Sequence, residues 1–138
     1  MARTRIEVSP ASTRHLAGLD DLAQVLFPAN RLHRRVFIAV WADLKYAPEQ
    51  FVPSFSDLCA RHGFSERVLE IVRARMKRLG ILERVSHFSP RYGNRSGWTF
   101  SERFERSLAK LADALRAARR PSGRPTDQRK DRDAIAYA

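Results

Sequence analysis

Residues 59–85, CARHGFSERVLEIVRARMKRLGILERV, change character twice within one short stretch. A short helical run stops at Gly63, an arginine-rich run follows, and Gly80 stops that run before a segment rich in β-branched residues. Ser65 is placed to cap the second run as a helix, and Glu66 falls in the first turn, where an acid suits the positive end of the helix dipole. At roughly 100° per residue, Val68, Leu69, Ile71, Val72, Met76 and Leu79 share one arc. Glu66, Arg67, Glu70, Arg73, Ala74, Lys77 and Arg78 share the other. The spacing therefore predicts a helix over 66–79 with one apolar and one basic side. Arg75 lies inside the apolar arc, so its stem is expected to pack and its guanidinium to reach back to solvent.

Upstream, LDDLAQVLF places Leu19, Leu22, Val25 and Leu26 at helical spacing, with Asp20 and Asp21 in the first turn and Pro28 as a stop. Residues 1–15 show no period and read as a loose arm. Asn30 is a suitable cap for a helix over 31–46, in which Leu32, Val36, Phe37, Val40, Trp41 and Leu44 recur every three to four places. Pro48 and Pro53 then forbid a continuous helix and leave Phe51-Val52 as a stub of strand. Ser54 and Asp57 resemble a capping box for a helix that buries Phe55, Leu58 and Cys59 and ends at Gly63.

Downstream, ILERVSHF, the turn-rich SPRYGNRSG and WTFSERF read as an antiparallel β-hairpin with a basic tip, Gly93 and Gly97 allowing the turn. FERSLAKLADALRAARR places Phe104, Leu108, Leu111 and Leu115 at spacings of four, three and four, a seam suited to dimerisation. From about 119 the chain combines Pro, Gly, Ser and charge and is expected to be a basic disordered tail. The expected organisation is an arm and short helix (1–30), a domain (31–104), a C-terminal helix (105–118) and the tail (119–138).

The 138 residues suit one domain with extensions. The net charge of +11 divides as zero over 1–30, +7 over 31–104 and +4 over 105–138. Such a balance favours a polyanion, nucleic acid before an acidic membrane surface. The apolar stretch VFIAVWA is far shorter than the roughly 20 residues of a membrane span. The N-terminus has no apolar core followed by a cleavage site, so a cytoplasmic, nucleoid-associated protein with no membrane partner is expected. Cys59 is the single cysteine, which excludes an internal disulfide, and it reads as a packed apolar group. His15, His33, His62 and His87 lack ligand spacing, so neither a metal nor another cofactor is expected. Trp41, Phe55, Phe64, Trp98 and Phe100 read as core.

The order helix, strand stub, helix, tight turn, basic helix, hairpin resembles the winged helix-turn-helix domain, a mainly α fold with a small β-hairpin, here with helical extensions at both ends. The resemblance rests on Cys59, Gly63, Leu69 and Val72 at the positions of the small residue, the turn glycine and the second-helix hydrophobics. Cys59 departs from the commoner alanine. RMKRLGILER, residues 75–84, is similar to the helix-to-wing junction of MarR-like and related winged-helix regulators. What the resemblance implies is sequence-specific binding of double-stranded DNA by a recognition helix over about 66–79 and a wing over about 89–97. On this chain it points to Ser65, Arg67, Glu70, Arg73 and Lys77 on the helix, with Ala74 between them, and to Arg91, Tyr92, Asn94 and Arg95 on the wing. Arginine bonds guanine O6 and N7 together, a glutamate accepts from cytosine N4, and Ser65 can donate to a phosphate. Arg31, Arg34, Arg35 and the tail arginines are expected on phosphates.

No glycine-rich phosphate loop and no assembled Ser, His and acid set is present in the sequence, so catalysis is not expected. Three functions remain open: a homodimeric transcriptional regulator, a plasmid- or phage-type replication or partition factor, and a protein interaction module working through a leucine stripe.

Overall fold

In a computed structural model, residues 5–86 and 95–138 are described. Each early helix begins where a side chain takes up free backbone amides at or just before its first turn. In α1 (Pro10–Thr13) the Ser12 amide donates to Ser9 Oγ, 3.1 Å. At the start of α2 (Leu19–Leu26) the Asp21 carboxylate accepts from the amides of Ala17 and Gly18, both 3.1 Å. Asn30 Oδ1 accepts from the His33 amide at 3.1 Å and opens α3 (Arg31–Lys45). A 3-10 turn over Pro48–Gln50 leads to β1 (Phe51–Val52). Then follow α4 (Asp57–His62), α5 (Glu66–Leu79), β2 (Leu82–Val85), β3 (Gly97–Phe100), α6 (Arg103–Arg119) and α7 (Pro125–Asp133).

The protein is mainly helical with a three-stranded antiparallel sheet in the order β1-β3-β2, an α+β arrangement. Phe51 faces Thr99 and Val52 faces Trp98 on one side of β3, while Leu82, Glu83, Arg84 and Val85 face Phe100, Thr99, Trp98 and Gly97 on the other. The stub at Phe51-Val52 and the returning strand expected from the sequence are both present. The chain divides into two compact units, Met1–Phe104 and Glu105–Ala138.

In the first unit, α2, α3, α4, α5 and the sheet share one core. Phe27, Phe37, Phe55, Leu44, Val72, Met76 and Leu82 are fully buried in it. Each such side chain contributes about 1.5–3 kcal/mol of transfer free energy. The expected core aromatics take their places, Phe55, Phe64 and Trp98 buried, Trp41 and Phe100 half-buried. Cys59 is half-buried and packs against the same cluster.

Several expectations need correction. The segment before α2 is not a loose arm: Ile6 packs on the core and the Glu7 amide donates to the Val25 carbonyl at 2.8 Å. Ser54 does not cap α4. Its hydroxyl accepts from the Ser56 amide at 3.1 Å, and Phe55 is buried ahead of the helix. Leu32 and Ile71, placed on apolar arcs by spacing, are 40% and 43% exposed, because no element among the described residues covers the edge of either arc. Residues 125–133 form a helix rather than a disordered tail. It buries no residue and is held locally, with Ser122 Oγ donating to the Asp127 carboxylate at 2.8 Å and Gln128 Nε2 to the Ser122 carbonyl at 2.7 Å. Composition foresaw the missing core and not these local bonds.

Gly63 and Gly80 end α4 and α5 with φ of 70° and 87°, the left-handed region that side chains rarely adopt. At Gly80 the next helix also comes close: the Phe104 amide donates to the Gly80 carbonyl at 3.0 Å. Gly97 does not turn the hairpin as the sequence suggested. It lies buried in β3 where β1 crosses closely, and an added Cβ would lie 2.8 Å from Phe51 Cζ and from Pro53 Cα. Gly97→Ala is therefore expected to cost about 1–3 kcal/mol through overpacking, read as a lower urea midpoint. Gly123→Ala, where nothing lies within 4 Å, is expected to leave the midpoint in place; equal behaviour of the two would refute the close crossing.

Candidate nucleic-acid interface

α5 sinks Leu69, Val72 and Met76 into the core and is pinned on both flanks by arginines. On one flank Arg75 turns inward. Its guanidinium donates to the Leu26 carbonyl at 2.7 Å and to the Arg5 carbonyl, and lies 4.5 Å from the centre of the Phe27 ring. This corrects the expectation that the head returns to water: the C-terminal carbonyls of α2 need donors, and the aromatic face beneath adds a cation–π attraction. Among the described residues Arg75 Nε is buried without a hydrogen-bond partner. Burial, and after it the charge of Arg78, lowers the Arg75 guanidinium from its ordinary value, while it stays protonated. Burial, and after it the charge of Arg75, holds the His33 imidazole below its usual range.

On the other flank Arg73 is half-buried with its guanidinium 4.8 Å from the Trp98 ring centre. Arg84, the cross-strand partner of Trp98, stands over the same indole at 5.4 Å. One buried tryptophan thus holds two cations at the junction of α5 with the sheet. Arg73 was expected from the sequence and Arg84 was not: its only signal was an outward place in a strand, with its tryptophan partner 14 positions further along the chain.

Between these flanks α5 leaves two exposed ridges. Glu66, Glu70, Arg73 and Lys77 follow one at spacings of four, three and four; Arg67, Ile71, Ala74 and Arg78 follow the other. Arg67, Glu70 and Lys77 are exposed as expected. Ser65 Oγ accepts from the Val68 amide at 3.2 Å, which leaves its hydroxyl proton free to donate. Arg95 is exposed but pairs with Glu49 at 2.6 Å and lies 5.0 Å from the Phe51 ring centre, so it is not a free cation. Arg91, Tyr92 and Asn94 lie outside the described residues.

Of the expected phosphate contacts on α3, Arg31 is exposed, whereas Arg34 donates to the carbonyls of Phe27 and Pro28 at 3.1 and 3.2 Å. It closes α2. Arg35 stands 5.7 Å over the Phe64 ring. Phe104, expected on a dimer seam, packs instead with the core of the first unit. In the second unit Leu108, Leu111 and Leu115 are 42%, 58% and 61% exposed.

A groove of about 720 Å³ beside α3 and α4 has an apolar floor that includes Ile38, Ala39, Leu58 and Phe64, with Asp43 and Arg61 paired at its rim, 3.0 Å. Among the described residues no three His, Cys, Asp or Glu side chains gather as metal ligands. No helix among them is long and apolar enough to cross a membrane. Comparison with models of known protein families, with curated proteins and with solved structures finds no match to this chain.

Removing the inward arginine tests its role. Arg75→Ala is expected to lower stability by about 1.5–3 kcal/mol, the scale of a charged hydrogen bond lost to a partly buried acceptor. Lysine at the same position should recover little, since a point charge cannot fork between two carbonyls while covering a ring. Arg78→Ala, on the exposed ridge, should stay within about 0.5 kcal/mol of the parent. Equal losses at 75 and 78 in chemical denaturation would disprove the anchoring role.

Proposed function

We propose that the chain is a winged helix-turn-helix protein that binds double-stranded DNA and regulates transcription. In this reading α4, the Gly63 turn and α5 form the helix-turn-helix, α5 is the recognition helix, and β2 with β3 forms the wing. The observation that carries it is the exposed side of α5. Arg67, Lys77 and Arg78 stand free of ion pairs among the described residues, on a helix whose rotation is set by buried contacts on three sides. Rigid placement of cations on a helix suits the major groove, and Arg73 and Arg84 on Trp98 add charge where the sheet meets the helix. The net charge of +11 supports a polyanionic partner. Glu66 and Glu70 oppose phosphate, which argues for contact by the Arg67–Arg78 ridge before the Glu66–Lys77 ridge.

Fluorescence anisotropy on a random duplex of about 30 base pairs tests the reading. Binding is expected to weaken with salt at a slope of about −0.9 per phosphate neutralised. A folded Arg67→Ala, Lys77→Ala, Arg78→Ala variant is expected to flatten that slope by about two to three. Failure of the folded parent to bind at low salt sinks the DNA reading; unchanged binding by the variant moves the contact away from α5.

The exposed Leu108, Leu111 and Leu115 stripe supports a homodimer, which would set two recognition helices on a two-fold site. Sedimentation equilibrium is expected to give twice the 15.9 kDa chain mass. Leu111→Glu with Leu115→Glu should return the monomer; a monomeric parent at tens of micromolar would exclude this seam.

A further inference from the structure

The exposed ridge of α5 has an unusual composition for a DNA-facing surface: arginine at each end and two apolar side chains between them. Arg67, Ile71, Ala74 and Arg78 are successive neighbours at spacings of four, three and four. Ile71 is 43% exposed and Ala74 is exposed. A single surface isoleucine is ordinary, so its position is what matters. It stands between the two cations of its ridge, and the second ridge contains two glutamates and an arginine already stacked on Trp98. The helix cannot roll to hide Ile71, because Arg75 beside it is tied to the Leu26 carbonyl and the Phe27 ring.

Resting on the DNA-binding reading, we infer that Ile71, with Ala74, is a specificity residue that recognises the 5-methyl group of thymine in the major groove. An isoleucine offers neither donor nor acceptor, and among the base edges of that groove the thymine methyl is the apolar group. The flanking arginines, as phosphate contacts on either side, hold the ridge against the groove. Arg67 and Arg78 are about 16 Å apart along the helix at 1.5 Å per residue. That is about five base pairs at 3.4 Å each, so the target half-site carries thymine near its centre. A second copy of the chain is a poorer occupant for this ridge, since like arginines would meet.

The experiment selects binding sites for the full chain from a randomised duplex pool, then compares the selected duplex with one in which deoxyuridine replaces each enriched thymine. The deoxyuridine duplex has the same hydrogen-bonding edge and lacks only the methyl. The parent protein is expected to bind it about three- to fivefold more weakly for each methyl contacted. Ile71→Ala, at an exposed position where folding is expected to persist, should bind the two duplexes alike, while Arg78→Ala should weaken both and keep their ratio. Equal binding of the two duplexes by the parent, a selected site without thymine, or discrimination that survives Ile71→Ala overturns the inference and leaves DNA binding standing. Absence of any binding overturns both.

Discussion

The inward turn of Arg75 governs what the rest of α5 presents to solvent. Its guanidinium closes the end of α2 through the Leu26 carbonyl, reaches the Arg5 carbonyl and covers Phe27. A helix held only by Leu69, Val72 and Met76 has latitude to roll, because apolar packing is weakly directional. Hydrogen bonds from a planar guanidinium to a fixed carbonyl remove that latitude. Arg73 on Trp98 holds the opposite flank. The exposed side chains of α5 are then set as a consequence of what its flanks touch.

The sheet plays a matching part through close backbone approach. β3 is central, with β1 on one side and β2 on the other, and Gly97 admits β1 where a side chain would strike Phe51 and Pro53. That approach carries Glu49 and Gln50 with positive φ of 58° and 50°, a conformation costing roughly 1–2 kcal/mol per residue for ordinary side chains. The Gln50 carbonyl accepts from Thr99 Oγ1 at 2.9 Å, and Glu49 meets Arg95. Contacts to β3 and to Arg95, two residues before it, thus hold a strained turn, and the same strand presents Trp98 to Arg73 and Arg84.

Charge on this protein is divided between structural and free arginines. Arg34 and Arg75 spend their donors on the carbonyls that end α2, Arg61 pairs with Asp43, and Arg95 pairs with Glu49. Net charge therefore overstates the cations available to a ligand. Arg67, Lys77 and Arg78 are better measures of the surface, being exposed on a helix whose inner side and flanks are committed to the core.

The helices over 31–45 and 66–79, their caps at Asn30 and Ser65, the stops at Gly63 and Gly80 and the paired strands were legible from the sequence. Each depends on local rules: periodicity, a capping side chain, a left-handed glycine, alternation. The order of elements followed from them. Which arginines face inward did not, because a guanidinium is satisfied by carbonyls and rings supplied from distant segments, as Arg75 is by residues 49 and 70 positions earlier. Likewise spacing put Ile71 on an apolar arc, but burial requires a neighbour to cover it, and among the described residues none does. Local chemistry in the chain determined the elements and their ends; only tertiary contact, which brings remote acceptors and aromatic faces to α5, decided which of its side chains remain free to meet a partner.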